Sequence, residues 1–336
     1  MMTTFSRRNF IHTAAAVSAG FVFGNTTGLS AQPTGSVKKT FLTKLYKSTV
    51  ISEPTQELCA RLKSAGYEGI EVSNWNVTSA QARAYRSIAE KSDIRIHSVM
   101  RGWAGFNNTD AAERQKTIDE TVTSIRAAAN MGADTILLVP CRINVQPVPE
   151  AWDFDIDFDP QTLQVKTVAK GDNKPFAEYI KAQNLSTEMS IAAIEELIPV
   201  AAKEGVRIAI ENVWNNLWCT PKLFAAFVKH FDNPWIGGYF DLGNHTKYAR
   251  AEEWIKYLGH SIVKLHIKGF KVDEVKNKFN GGQGNWTAID KAGIDWKSVR
   301  QSIEDVGFNG YISVEEGNYD YEMYSSILDK FIDGTL

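Results

Sequence analysis

Short apolar runs of four to seven residues alternate with longer amphipathic segments eight times along this chain, and that rhythm constrains the fold more than any other feature. The expected strands cover 41–46, 69–72, 94–99, 133–139, 206–211, 236–241, 261–267 and 311–315. The expected helices cover 54–63, 79–91, 110–131, 187–203, a segment opening at Pro221, 251–258, 295–306 and 320–332. Gly66, Gly132 and Gly205 follow three of them, where a left-handed residue commonly ends a helix. Strict alternation implies a parallel sheet, because a parallel pair needs a helical crossover to return the chain to the same end. Eight repeats imply an α/β fold of the (β/α)8 TIM barrel kind rather than a doubly wound sheet. No Gly-x-Gly-x-x-Gly opens a helix after a strand, which removes the main dinucleotide-binding alternative.

Residues 141–186 break the rhythm. They separate the fourth strand from its helix, where a connection of about 2–6 residues is usual. Within them Trp152-Asp153-Phe154-Asp155-Ile156-Asp157-Phe158-Asp159 interleaves acids with apolar residues. We expect a lid-like insertion with solvated acids over the C-terminal face of the barrel; a calcium loop is the other reading.

The N-terminus reads as an address. Ser6-Arg7-Arg8-Asn9-Phe10-Ile11 resembles a twin-arginine signal, the weakly apolar stretch 13–23 is too short to span a bilayer, and Leu29-Ser30-Ala31 suits cleavage. The expected organisation is a signal peptide over 1–31, a polar linker over 32–40 and a single barrel domain over 41–336. It implies a partner in the twin-arginine export machinery, a periplasmic or otherwise exported product, and no membrane attachment after cleavage. Lys and Arg number 37 against 39 Asp and Glu, a net charge of −2, which disfavours nucleic acid as a partner. Cys59, Cys141 and Cys219 fit no zinc spacing, and their odd number leaves at least one unpaired within the chain.

Barrel active sites are built at the C-terminal ends of strands. Strand periodicity assigns the lumen side. In the seventh strand Val263, Leu265 and Ile267 suit burial against helices, leaving Lys264, His266 and Lys268 inside. In the eighth, Tyr311, Ser313 and Glu315 face the lumen; in the fifth, Arg207, Ala209 and Glu211; in the sixth, Gly237, Tyr239 and Asp241. The last lumen positions of four consecutive strands are therefore Glu211, Asp241, His266 and Glu315. Three carboxylates and an imidazole at one point repel one another unless a divalent cation joins them. The oxygen-rich set favours Mn²⁺, Mg²⁺ or Co²⁺, with Zn²⁺ possible. Glu316 replaces Glu315 if the register slips by one residue.

Gly66-Tyr67-Glu68-Gly69-Ile70-Glu71, Ile210-Glu211-Asn212-Val213, Phe240-Asp241-Leu242-Gly243-Asn244, Lys264-Leu265-His266-Ile267-Lys268 and Val314-Glu315 resemble the xylose isomerase-like barrel superfamily, and within it the sugar phosphate isomerase/epimerase family. The resemblance implies a Glu-Asp-His-Glu metal site and deprotonation next to a ketose carbonyl. Glu211 and Glu315 would serve as both ligands and acid/base pair on opposite faces of the substrate carbon, around a metal-stabilised enediolate. Ketose 3-epimerases of the superfamily carry a His where Asn244 stands here, with His245 next to it, and an Arg where Val272 stands. Asn244 and His245 are therefore substrate-binding candidates, as are Glu71, His97, Trp103 and Trp214. Trp218 is a further ring for stacking on a sugar. Lys268 is a catalytic candidate, holding an anionic oxygen or donating a proton. Gly281-Gly282-Gln283-Gly284 reads as a flexible loop.

Export argues for an unphosphorylated substrate. The function expected is a metal-dependent isomerase or epimerase on a ketose or keto-glycoside. Elimination by a keto-glycoside lyase begins with the same proton abstraction. A non-catalytic sugar-binding protein and a His-rich, three-zinc repair nuclease are the remaining readings; six His in all disfavour the last.

Overall fold

The computed structural model describes residues 40–272, 284–315 and 320–336. They belong to one compact unit, Lys39–Leu336. The signal segment, most of the linker, Gly281 to Gln283 and Glu316 lie outside the described residues. In order the elements are β1 (Leu45–Ile51), α1 (Gln56–Ser64), β2 (Gly69–Val72), α2 (Ser79–Lys91), β3 (Arg95–Trp103), α3 (Ala111–Met131) and β4 (Thr135–Val139). Next come β5 (Phe154–Phe158), β6 (Val165–Ala169), α4 (Ala177–Glu204), β7 (Arg207–Glu211), α5 (Pro221–His230), β8 (Ile236–Asp241) and α6 (Ala251–Leu258). The chain continues through β9 (Ile262–Ile267), β10 (Gly269–Val272), β11 (Gly284–Thr287), α7 (Trp296–Asp305), β12 (Gly310–Val314) and α8 (Tyr321–Ile332).

Eight strands close a parallel barrel in the order β1-β12-β9-β8-β7-β4-β3-β2, which is the TIM barrel the alternation implies. The helices begin where polar side chains can satisfy free amides. Thr78 and Gln81 form a reciprocal capping box at α2, and Asp110 accepts from Ala112 and Glu113 at α3. Gly132 and Gly205 end α3 and α4 at φ of 77° and 69°. Phe224 and Phe227 of α5 are wholly buried, each worth about 1.5–3 kcal/mol of apolar burial. No helix among the described residues is long and apolar enough to cross a membrane.

The structure departs from the sequence expectation at several points. The first strand runs 45–51 rather than 41–46, because Lys47, Ser48 and Thr49 interrupt its apolar pattern; Ser48 is fully buried and bonded to His97 at 2.7 Å. Helix α4 opens at Ala177, ten residues before Thr187. Thr187 lies mid-helix, its hydroxyl donating to the Gln183 carbonyl at 2.9 Å and accepting from Trp218 Nε1 at 3.1 Å. Val263 does not join Leu265 and Ile267 on the helix side. The β8–β9 register shifts so that Gly238 pairs Ile262 and Tyr239 pairs Lys264, and Val263 packs on the lumen cluster of Leu137, Val139, Ala209 and Tyr239.

The insertion after β4 is an ordered hairpin. β5 and β6 pair antiparallel, and Phe158, Val165 and Val168 are buried while Asp155 and Asp157 face solvent. Asp159 accepts from the amides of Gln161 and Thr162, closing the turn. Its acids are thus solvated or turn-forming. Cys59, Cys141 and Cys219 are all buried and free.

Candidate metal centre

Each of the four strand-end residues reaches the same point. Glu211 ends β7, Asp241 ends β8, His266 lies one residue from the end of β9, and Glu315 follows β12. Asp241 and His266 are register partners. One ligand atom from each of the four lies within 4.8 Å of all the others. His266 Nδ1 is 3.5 Å from Glu211 Oε1, 3.8 Å from Asp241 Oδ2 and 3.3 Å from Glu315 Oε2.

Neighbouring side chains hold this arrangement. Asp241 Oδ1 accepts from the amides of Gly243 and Asn244 at 2.7 and 2.6 Å, which leaves Oδ2 facing the cluster. Gly243 is required there, since a Cβ would fall 2.6 Å from the Lys268 carbonyl oxygen and Cγ. Asn244 Nδ2 donates to Glu211 Oε1 at 3.3 Å. Lys268 ion-pairs with Glu315 and lies 3.0 Å from Asp241 Oδ2. That second approach is outside hydrogen-bond geometry, so Asp241 Oδ2 and His266 Nδ1 both remain buried without a hydrogen bond.

Two orphaned buried donor atoms aimed at one point, with two further carboxylates beside them, fit a divalent cation. The electrostatics agree. Burial pushes the Glu211 carboxyl up to about 7, and repulsion from Glu315 adds to it against the pull of His266 and Lys268. Burial also acts to raise Glu315, but His266 and Lys268 outweigh it and hold that carboxyl well below the usual range. Lys268 is raised against its own burial by Asp241, Glu315 and Glu211. The same cluster thus shifts the two glutamates in opposite directions.

The structure gives Glu71 a different position from the substrate-facing one expected of it. It is fully buried, with Oε1 accepting from Ser98 Oγ at 2.7 Å and Oε2 accepting from His266 Nε2 at 2.5 Å. Both its oxygens are engaged by protein. Because a carboxylate only accepts, it places the His266 hydrogen on Nε2 and leaves Nδ1 facing the cluster.

His97 likewise stands apart from the substrate position expected. It lies on the barrel floor, wholly buried, with Nε2 against Ser48 and Ser313 and its ring stacked on Tyr311 at 4.2 Å. His245 points outward into the helix layer. Its Nδ1 bonds the Asp241 carbonyl at 2.9 Å, and its ring lies 4.2 Å from that of Trp254, so it is a core residue rather than a substrate contact. Trp218 is also core, stacked on Phe227 at 3.9 Å. Trp103 sits half exposed on the rim beneath the Arg142 guanidinium. Trp214 and Asn244 are at the site: Trp214 Nε1 donates to the Asn244 carbonyl at 2.9 Å.

Trp286 escaped the sequence reading. It stacks on Trp214 at 5.0 Å, with Lys268 Nζ 5.2 Å from its ring centre. Its short strand β11 begins at Gly284, the last residue of the Gly-rich stretch read as loop, and Trp286 and Thr287, residue types favoured in strands, were the signal for it. A cavity of about 550 Å³ opens at the opposite end of the barrel, lined by Glu68, Arg95 and Tyr311 among others, and holds none of the four cluster residues.

Comparison with known proteins agrees with this architecture. A D-tagatose 3-epimerase-like protein superposes with a TM-score of 0.65 at 16% identity, covering 87% of this chain and 98% of its own. The 3-keto-D-glucoside 4-epimerase from E. coli gives 0.59 at 12% identity, with 86% and 99% covered. The IOLI protein, solved with a bound zinc atom, gives 0.61 at 15% identity, with 87% and 98% covered. An uncharacterised protein of Methanocaldococcus jannaschii is 24% identical over 135 residues, 38% of this chain and only 43% of that relative's length. The family profile of xylose isomerase-like TIM barrels matches residues 59–327, and the chain belongs to that family.

Proposed function

We propose that this protein is a divalent-metal-dependent sugar isomerase or epimerase, acting on an unphosphorylated ketose or keto-glycoside by proton transfer beside the carbonyl. The observation that carries the reading is the convergence of Glu211 and Glu315 with Asp241 and His266 at the mouth of the barrel. The structural neighbours that are named sugar epimerases support the substrate class, and the neighbour solved with zinc supports the metal. The twin-arginine-like N-terminus supports export and with it an unphosphorylated substrate.

Asp241, His266, Glu211 and Glu315 would hold the cation; Mn²⁺, Mg²⁺ or Co²⁺ suit the oxygen-rich set, and Zn²⁺ is accommodated. When bound, the metal supplies Lewis-acid polarisation of the substrate's carbonyl and hydroxyl oxygens. One of the two glutamates takes the proton from the carbon next to the carbonyl and the other returns one. Return to the same carbon from the other side yields an epimer; return to the adjacent carbon yields an isomer. Lys268, paired with Glu315 and close to Asp241, steadies negative charge that develops on a substrate oxygen. Asn244 fixes the direction of Glu211.

The test is metal-loaded protein in D₂O with a panel of free ketoses and 3-keto-glycosides, followed by NMR. Deuterium beside the carbonyl, with an epimer or isomer formed, is the expected result, and Glu211→Gln lowers the rate by about 10²–10⁴-fold. Exchange with loss of the aglycone replaces the reading with the lyase. Absence of exchange with all four metals overturns the catalytic reading in favour of a sugar-binding protein.

A further inference from the structure

We propose that Trp286, braced by Trp214 and Phe270, forms a second subsite that takes the ring of an aglycone, so that the substrate is a keto-glycoside rather than a free ketose. This rests on the carbonyl-directed reading above and narrows its substrate class.

The platform is built by the strand pair that leaves the barrel immediately after Lys268. β10 and β11 are antiparallel, and Phe270 stands opposite Trp286. They approach so closely that a Cβ on Gly269 would fall 2.2 Å from the Thr287 carbonyl oxygen. Glycine at that position therefore sets where Trp286 comes to rest. The Phe270 ring meets the Trp286 ring edge-on at 5.1 Å, and the Trp214 ring stacks on it at 5.0 Å with 23° between planes. Three aromatic rings in these geometries fix the indole in one orientation.

Two chains of contact tie the platform to the carboxylates. Trp214 Nε1 donates to the Asn244 carbonyl, and Asn244 Nδ2 donates to Glu211. Lys268 Nζ lies 5.2 Å from the Trp286 ring centre while it pairs with Glu315 and approaches Asp241. A sugar whose reacting carbon sits at the carboxylates therefore has Trp286 one ammonium group away.

Trp286 is nevertheless 49% exposed, among the most open large apolar side chains described. A lone exposed apolar residue is unremarkable on a protein surface. One held rigid by two other rings, at the edge of a charged centre, presents an area that loses little entropy when covered. The exposed part of the indole is apolar, and the ammonium beside it is already paired with Glu315. It suits the face of a ring, saturated or aromatic, and not an anion. A glycoside whose sugar sits at the carboxylates carries a second ring that can cover the indole, and a free ketose carries none.

The test compares a methyl and a phenyl 3-keto-glucoside on the metal-loaded protein and on Trp286→Ala and Trp286→Phe variants. The wild type is expected to favour the phenyl compound in kcat/KM by about tenfold. Trp286→Ala brings that ratio close to one, and Trp286→Phe restores most of it. A ratio near one in the wild type, or a ratio that survives Trp286→Ala, overturns the subsite. Binding is read separately, by NMR saturation transfer to unreactive phenyl β-D-glucoside, whose phenyl protons receive saturation from the wild type and not from Trp286→Ala. If no keto-sugar reacts, the functional reading fails. The subsite then stands or falls on this binding difference alone.

Discussion

The barrel lumen holds two fully buried histidines, His266 at its C-terminal mouth and His97 on its floor, and they live in opposite surroundings. Around His266 burial works against a proton, but Tyr239, Glu71 and Glu315 together push its basicity well above the ordinary value. Around His97 burial works in the same direction and the charged neighbours Lys264, His266 and Arg95 reinforce it, so the ring is held neutral. Each leaves Nδ1 without a hydrogen bond. Only the orphan nitrogen of His266 faces three carboxylates. A buried histidine is thus made a candidate metal ligand or a core residue by what other strands bring to it, and both histidines fit the same lumen-facing strand pattern in the sequence.

The contrast can be broken at its strong end first. Saturating the protein with Mn²⁺ at a hundred times its dissociation constant should stabilise the folded state by about 2.7 kcal/mol. His266→Ala should abolish that gain in a thermal unfolding titration, and His97→Gln should keep it. Stabilisation persisting in His266→Ala would place the metal elsewhere.

Glu71 sharpens the comparison at the next level, because it is the group that turns Nδ1 of His266 toward the cluster. Glu71→Gln preserves the volume but no longer offers an acceptor on both arms. Metal affinity should fall about 10–100-fold, or about 1.4–2.7 kcal/mol, in a chelator-competition titration. Unchanged affinity would show that the ring is oriented by packing alone.

The smallest effect concerns the floor. A histidine whose folded basicity is depressed takes up a proton only on unfolding. Its contribution to stability is present above pH 6.5 and is lost as the pH falls below that value. The slope is at most about 1.4 kcal/mol per pH unit for one group. His245, pushed down to about 3 mainly by burial, adds a slope of the same sign. His97→Gln should therefore reduce, and not remove, the pH dependence of denaturant stability between 6.5 and about 5. An unaltered slope would mean that His97 keeps its proton affinity when buried.

Much of this was legible in the chain itself. The alternation of short apolar runs with capped amphipathic helices leaves few arrangements open, and period-two parity in the strands puts Glu211, Asp241, His266 and Glu315 on the lumen side. Those signals are local: they need only residues within one element. The insertion shows how a local signal is misread. Phe154, Ile156 and Phe158 alternate with Asp155 and Asp157 as a half-buried strand does, yet the dense acids suggested a loop.

The tertiary structure decided which side chains meet across the lumen. Glu71 and His266 are 195 residues apart in the chain and come into contact only when closure of the ring brings β2 and β9 to three positions from each other across β1 and β12. Trp286 gains its place from a strand pair outside the barrel and from Trp214 on another loop. His245 is turned outward by a bond to the Asp241 carbonyl, one residue after Asn244 turns inward. Periodicity reports which face of a strand a residue occupies. The identity of the groups that share that face is set by closure of the barrel, because closure brings strands distant in sequence within hydrogen-bond reach.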